Sequence, residues 1–483
     1  MSDNHQIEQL IDPVTDSELE QELQSFQQSD LLYITDNNNG SYTNQIQFLC
    51  SNLAQQWTTW RDMSLAIPLT FTGVGSAPLA ATSHIAFKQS IVDLISGVQL
   101  TTATGETILN ETTGQVPFIN RIRMLVEKDL NWLQEEGAEL MFAKDVAAIA
   151  PGTTVGLTIP TLTYSTNAGV SLKEAYLGQA VTNNGVTTWN TIVTIPLRYI
   201  HDLFDSMSCP VFNTAFTVTF YTAFGSAGNT TVSPMFIDST LINTTTALIP
   251  AVANVSVAPG CGTQATGFNS CRLYYRKVII PPHALSKVAA KLAAGYTRKF
   301  YFRLCDYYPP LASEINGSSS TSRQISNNTS YPLRVWVLGQ QNNVSGVPQL
   351  GLQSSLSNFQ VGFTAMNCKI NNNQYYASNI NTAQEAWDIL KQQFPGYGSD
   401  STQGGLISFQ DFLTTYRLNC IDLSRLKERV ANPWTQVSIE VDATPCVGTY
   451  TGGFDYHYLV EKKWLMSLTM SAGSISASMG PQS

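Results

Sequence analysis

Charge is what this sequence has least of. Asp, Glu, Lys and Arg make up 13 % of its 483 residues, about half the share of an ordinary soluble domain. That excludes a coiled coil, whose flanking positions need charges, and a chain kept disordered by its own charge. Lys and Arg are absent from residues 1–36, which carry nine acids. An arm of that sign cannot neutralise phosphates, so direct, sequence-specific nucleic-acid binding is not expected. No apolar run approaches ~18 residues, so no transmembrane segment is expected. The N-terminus has no basic region followed by an apolar one, so the plentiful Asn-x-Ser/Thr sites read as unmodified loop sequence. The five histidines (His5, His84, His201, His283, His457) show no metal-ligand spacing. The eight cysteines contain no CxxC pair and read as buried, reduced thiols. The nucleophile-elbow, P-loop and dinucleotide motifs are missing too. No cofactor, metal or enzymatic activity is expected.

What replaces charge is Ser, Thr, Asn, Gln and Gly, in segments alternating at a period of two. Removing the nine acids of residues 1–36 from the total of 35 leaves 26, equal to the 26 Lys and Arg. The body is therefore neutral, and the whole net charge of −9 sits on the arm. Neutral, polar, β-rich surfaces can meet copies of themselves without like-charge cost.

The pattern predicts an acidic arm over residues 1–40 with one helix. Thr15 to Glu18 fits a capping box, and Leu19, Leu23 and Phe26 form a narrow apolar stripe suited to a partner. Strands are expected at 45–48, 63–67, 191–195, 216–220 and 235–242, with a hairpin over 94–109 turning at Thr104-Gly105. A helix is expected over 118–135, and residues 137–190 read as a long surface loop. The second half offers strands at 273–280, 299–303, 333–337, 409–418, 437–441 and 458–470. It also offers a hairpin turning at Asn371-Asn372-Asn373 and a helix capped by Thr382 and Glu385. Ile200-His-Asp202-Leu203 and Cys420-Ile-Asp422-Leu423 follow strands in the two halves, and Asp202 and Asp422 are read as structural turn residues. The repeated order of elements reads as a duplication. The expected fold is all-β: two tandem jelly-roll sandwiches with a few short helices in the connections. The first covers 41–250, a linker 251–267, the second 268–475, and a tail 476–483.

Candidate chemistry is sparse. His201-Asp202 suggests a dyad fragment, but its counterpart is Ile421-Asp422, so only the Asp repeats. Glu135 and Glu136 are adjacent on a helix and point about 100° apart, unlike a hydrolase's facing carboxylates. Asp455-Tyr-His457 lies on an aromatic strand, where packing explains it. The basic segment 272–277, with Tyr274 and Tyr275, reads as a contact between domains or subunits.

Three stretches carry a resemblance. They are Tyr42-Thr-Asn-Gln-Ile-Gln-Phe48 with Trp57-Thr-Thr-Trp60-Arg-Asp and Leu65-Ala-Ile-Pro68-Leu; Asn269-Ser-Cys-Arg-Leu-Tyr274-Tyr275; and Trp464-Leu-Met-Ser-Leu-Thr-Met-Ser. In order and spacing the chain, from about residue 40 on, resembles the double-jelly-roll major capsid proteins of small eukaryotic double-stranded DNA viruses: polinton-like viruses, virophages and adintoviruses. The resemblance implies a homotrimeric, pseudo-hexagonal capsomer that tiles an icosahedral shell. Its partners would be its own copies, neighbouring capsomers, and penton and minor capsid proteins. It would be located in the virion after synthesis in host cytoplasm or nucleus. It also implies that residues 137–190 and 306–330 are outer or intersubunit loops. The arm has no match in the family. The alternatives are a glycan-processing hydrolase and a secreted two-sandwich adhesin or lectin.

Overall fold

The computed structural model describes residues Gln27 to Pro481 except 39–41, 75–83, 146–180, 223–234, 239–246, 253–269, 281–288, 312–319, 342–361, 395–404, 427–436, 446–453, 472–474 and a few one- and two-residue gaps. The first half supplies β1 (Leu32–Thr35), β2 (Gln45–Leu49), β3 (Ser64–Val74), β4 (Ile95–Thr101), β5 (Thr107–Glu111), β6 (Val186–Pro196) and β7 (Thr217–Thr222). Its last strand comes in two pieces, β8 (Ala247–Val252) and β9 (Arg272–Tyr275). One antiparallel sheet runs β1-β9-β3-β6, and β8 pairs with the far end of β3. The facing sheet runs β2-β7-β4-β5.

The second half supplies β10 (Tyr296–Tyr308), β11 (Thr321–Thr329), β12 (Pro332–Gln341), β13 (Phe363–Ile370), β14 (Asn373–Gln374), β15 (Asn419–Asp422), β16 (Val437–Pro445) and β17 (Phe454–Met470). Its sheets run β10-β17-β12-β15 and β11-β16-β13-β14. Counted from its own start, each half thus joins strands first-eighth-third-sixth and second-seventh-fourth-fifth. That is the jelly-roll wiring, twice.

Four helices matter here: α1 (Val116–Val126), α2 (Asp202–Ser206), α3 (Ala383–Gln393) and α4 (Phe409–Thr414). α1 and α3 occupy the same connection, between the fifth and sixth strands, so the duplication extends to the crossovers. α3 starts at the expected capping box: the Glu385 amide donates to Thr382 Oγ1 at 3.1 Å, and Thr382 N donates to Glu385 Oε2 at 3.0 Å. Between β13 and β14, Asn371 (φ 51°) and Asn372 (φ 67°) take the left-handed conformation that a two-residue hairpin needs and that Asn tolerates. Gly105 (φ 87°) does the same between β4 and β5.

Alternation builds the cores. Ile46, Phe48, Val98, Leu100, Val218 and Phe220 point in from one sheet of the first barrel, and Leu65, Ile67, Leu69, Val193 and Ile195 from the other. Trp60 is fully buried, stacked on Phe204 at 5.9 Å and tilted against Phe216 at 5.4 Å. Burying each such ring stabilises the fold by about 1.5–3 kcal/mol.

Several expectations are corrected. Arg272–Tyr275, expected to open the second barrel, pairs with β1 and β3 of the first. Lys277–Ile279 likewise joins Trp57–Thr58 and Gln27–Gln28 in a small sheet. The second barrel therefore does not take in Arg272–Tyr275, which follow the expected boundary at 268, and β8 lies across the expected start of the linker. Gln27–Gln28 and Leu32–Thr35 of the expected arm are sheet members. The expected C-terminal tail is a further strand, β18 (Ile475–Pro481), paired with β17. Residues 409–414 are helical: Ser408 and Asp411 form a second capping box. The 118–135 helix ends at Val126, followed by Leu130–Trp132 and a π turn over Leu133–Gly137. Of the two expected loops, 306–330 contains β11. Within 137–190, β6 begins at Val186, Phe142 and Asp145 are buried, and 146–180 lies outside the described residues.

Candidate functional site at the seam between the barrels

α1 and α2 of the first barrel pack on one side of the second barrel's β10-β17-β12 sheet. Successive side chains of a strand point to opposite faces, so Arg303, Cys305 and Tyr307 share a side of β10, as do His457 and Glu461 on β17. These residues, with Arg334 and Trp336 of β12, meet the helices.

At one end is a charge cluster. The Arg303 amide and Nε donate to Asp202 Oδ2 at 2.7 and 3.1 Å. Arg303 Nη1 and Nη2 grip both oxygens of Glu127, the second at 3.0 Å. Arg303 Nη1 also lies 3.3 Å from Glu461 Oε1. Glu461 in turn takes Arg334 Nε at 3.0 Å and accepts from Trp336 Nε1 at 3.1 Å. Arg123 approaches Asp202 at 3.5 Å. Three arginines face three carboxylates, so the seam is charge-balanced. Burial alone would raise the carboxyls of Asp202 and Glu127, but Arg123 and Arg303 outweigh it and hold both below the usual carboxylate range. The same partners hold Arg303 well above its ordinary value despite burial.

In the middle the seam is drier. Ile119 and Ile122 of α1, Cys305 and Trp336 line a small cleft beside the charge cluster. Glu111, at the end of β5, is buried; its Oε1 accepts from the Cys305 amide at 3.3 Å. Its Oε2 lies 3.2 Å from His201 Nε2, while His201 Nδ1 accepts from the Leu203 amide at 3.0 Å. Gly97 permits the close approach of this strand end, because a Cβ there would stand 2.4 Å from the Glu111 carbonyl oxygen. At the far end Phe118 packs against Tyr307 (5.2 Å) and His457 (4.6 Å), and Tyr307 Oη lies 2.8 Å from His457 Nδ1. A second bridge lies behind α1. Lys144 Nζ pairs with Asp411 Oδ2 at 2.8 Å, the Asp145 amide donates to Tyr416 Oη at 2.7 Å, and the Leu406 amide donates to the Leu125 carbonyl at 2.9 Å.

The sequence-derived candidates fall as follows. Asp202 starts α2 and ties the barrels together. Asp422 is the last residue of β15, and its Oδ1 accepts from the Ser424 amide at 2.8 Å. The two Asp residues therefore hold different positions after their strands. Leu19, Leu23 and Phe26 lie outside the described residues. Glu136 pairs with Arg198 at 3.1 Å, away from any second carboxylate of the cluster. Arg272 covers the Tyr33 ring at 4.6 Å. Among the described residues no group of three His, Cys, Asp or Glu side chains could hold a metal, and no helix is long and apolar enough to cross a membrane. The seam residues Arg123, Glu127, Arg303, Arg334 and Glu461 were not singled out from the sequence. The only local signal was the Arg303 end of one predicted strand.

No family model and no curated protein sequence matches the chain. Solved structures do. A chain of the Sputnik virophage structure solved by cryo-EM superposes with a TM-score of 0.56 at 12 % identity, over 94 % of this chain and 89 % of that one. The mavirus major capsid protein superposes with a TM-score of 0.53 at 11 % identity, over 94 % and 90 %. The fold is therefore the all-β double jelly roll found in a viral major capsid protein.

Proposed function

We propose that this chain is a structural protein, the major capsid protein of a double-stranded DNA virus. Three copies would make a six-sided capsomer that tiles an icosahedral shell. The observation that carries the reading is the identical wiring of two barrels joined by a charge-balanced seam. A chain so built presents two similar blocks at a fixed angle, and threefold repetition of two blocks approximates a hexagon. We read the barrels as residues 27–280 and 296–481. The fold's presence in the mavirus capsid protein supports the reading, as does the neutral, low-charge body. So does the chemistry of the charge cluster, whose carboxylates Asp202, Glu127 and Glu461 are gripped by arginines. The acidic arm, with Leu19, Leu23 and Phe26, would dock on neighbouring capsomers or on penton and minor capsid proteins inside the virion.

Light scattering and negative-stain microscopy of the purified full chain test this. Six-sided trimers with interfaces above the ~1,600 Å² of a standard contact are expected. A stable monomer at micromolar concentration would overturn the proposal.

A further inference from the structure

His457 is a seam residue whose ring bridges the barrels without a carboxylate partner. It is 7 % exposed, on β17 of the second barrel. Phe118 of the first barrel covers its ring at 4.6 Å. Tyr307 of β10 stacks beside it, with Oη 2.8 Å from Nδ1. Nε2 is buried with no hydrogen-bond partner. Among the described residues, the charged groups facing it from the surrounding elements are cations: Arg121 from α1, itself paired with Asp93 at 3.1 Å, and Arg323 from β11, lying over the Tyr458 ring. Its antiparallel neighbour on β12, Leu338, brings no charge. Glu461, four residues further along β17, is held by Arg303 and Arg334.

We propose that His457 is an acid-sensitive latch on the seam, so that the two barrels part more readily as the pH falls below neutrality. A proton on the closed latch would place a third cation beside Arg121 and Arg323, with its second N–H aimed at no acceptor. A proton on the open latch meets water. Acid therefore favours the open seam, by linkage. Burial first, then the two arginines, lower the closed-state value to about 3, against an ordinary value of ~6.5 once solvated. The stabilisation from neutral His457 is complete above the solvated value and is lost as the pH falls from there toward 3. Asp202 and Glu127 are held below the usual carboxylate range, so neither changes charge between pH 7 and pH 5. This inference goes beyond the capsid reading and does not depend on it, since it concerns one chain's two barrels.

Hydrogen–deuterium exchange of the full chain at pH 7 and pH 5, corrected for intrinsic exchange, tests it. Peptides covering 116–126 and 303–308 should lose protection by roughly 25-fold between the two conditions, while 366–370 in β13 loses much less. His457→Asn, which keeps an acceptor near the Nδ1 position but cannot be protonated, should abolish that difference; His457→Gln serves if Asn does not fold. Unchanged wild-type protection, an equal loss across 366–370, or an undiminished loss in the variant would each overturn the proposal. The first two need no variant.

Discussion

Arg303 donates through both its backbone amide and its guanidinium to one oxygen of Asp202, at 2.7 and 3.1 Å, and so ties the first turn of α2 in one barrel to the opening strand of the other. A side-chain shift alone cannot break this contact, because the strand's own amide is part of it. The pair also explains why the angle between the barrels is set by polar geometry. Apolar side chains such as Ile119 and Ile122 tolerate sliding, whereas bidentate contacts do not.

Removing one partner strands the others. Arg303→Met leaves Asp202, Glu127 and Glu461 without their shared cation in a site where Asp202 and Glu461 are largely shielded from water. Breaking a buried ion pair costs about 3–5 kcal/mol, and a loss of at least ~3 kcal/mol is expected in chemical denaturation. Asp202→Asn in the Arg303→Met background should restore part of that loss, because one uncompensated carboxylate is gone. A purely additive double variant would show that the two groups do not communicate.

The acid limb of stability should carry the same signature. Asp202 and Glu127 are lowered in the folded chain, so their stabilisation is full above the ordinary carboxylate range near pH 4 and disappears as the pH falls further. Thermal unfolding between pH 4.5 and 2.5 should therefore show a steep fall in midpoint. Asp202→Asn should start lower and fall less steeply over that interval. An unchanged slope in the variant would remove Asp202 from the account.

How much of this was legible beforehand follows from the range of each signal. The α3 capping box and the Asn371-Asn372 turn are local and were read correctly. The 409–418 segment was misread as a strand, although Phe409, Phe412 and Tyr416 fall at helical spacing behind Ser408, and all three pack inward or partly so. The placement of Arg272–Tyr275 could not be read locally. Its partners at 32–35 and 64–66 lie more than 200 residues upstream, and nothing in four residues of strand says which barrel they complete. The charge cluster was hidden for the same reason. Its members are spread from Arg123 to Glu461, and each looks like an ordinary strand or helix charge. Only the duplicated wiring brings them to one seam.

Thiol chemistry gives an independent check. Cys50, Cys209, Cys271, Cys305, Cys368 and Cys420 are free, and all but Cys209 are buried. Burial pushes the Cys50 and Cys420 thiols up to about 12. A thiol so raised is protonated at pH 8 and a poor nucleophile. Native alkylation at pH 8 should modify Cys209 before Cys50 and Cys420, which should be spared until denaturant is added. Equal labelling of all three in native buffer would mean that the barrel cores open far more often than their packing implies.

The arm offers the last test. Seven of its nine acids precede Gln27, and Gln27–Gln28 is already paired with Val278–Ile279. A cut after residue 24 therefore removes most of the charge and the Leu19–Leu23 part of the stripe without touching a described strand. A cut after 30 would remove a sheet member and confuse two effects. If the arm acts between capsomers, the protein lacking residues 1–24 should keep the thermal midpoint and trimeric mass of the full chain, because both cores lie downstream. It should then fail to form closed shells, or form shells that dissociate at lower denaturant. The acids themselves can be separated from the stripe. Leu19→Ser with Leu23→Ser keeps all nine charges but removes the apolar contact, and should reproduce the defect of the deletion. If the deleted protein instead forms shells as stable as those of the full chain, the arm is a solubilising spacer and the docking role falls. If only the deletion fails while the serine variant assembles normally, the acids rather than the stripe make the contact.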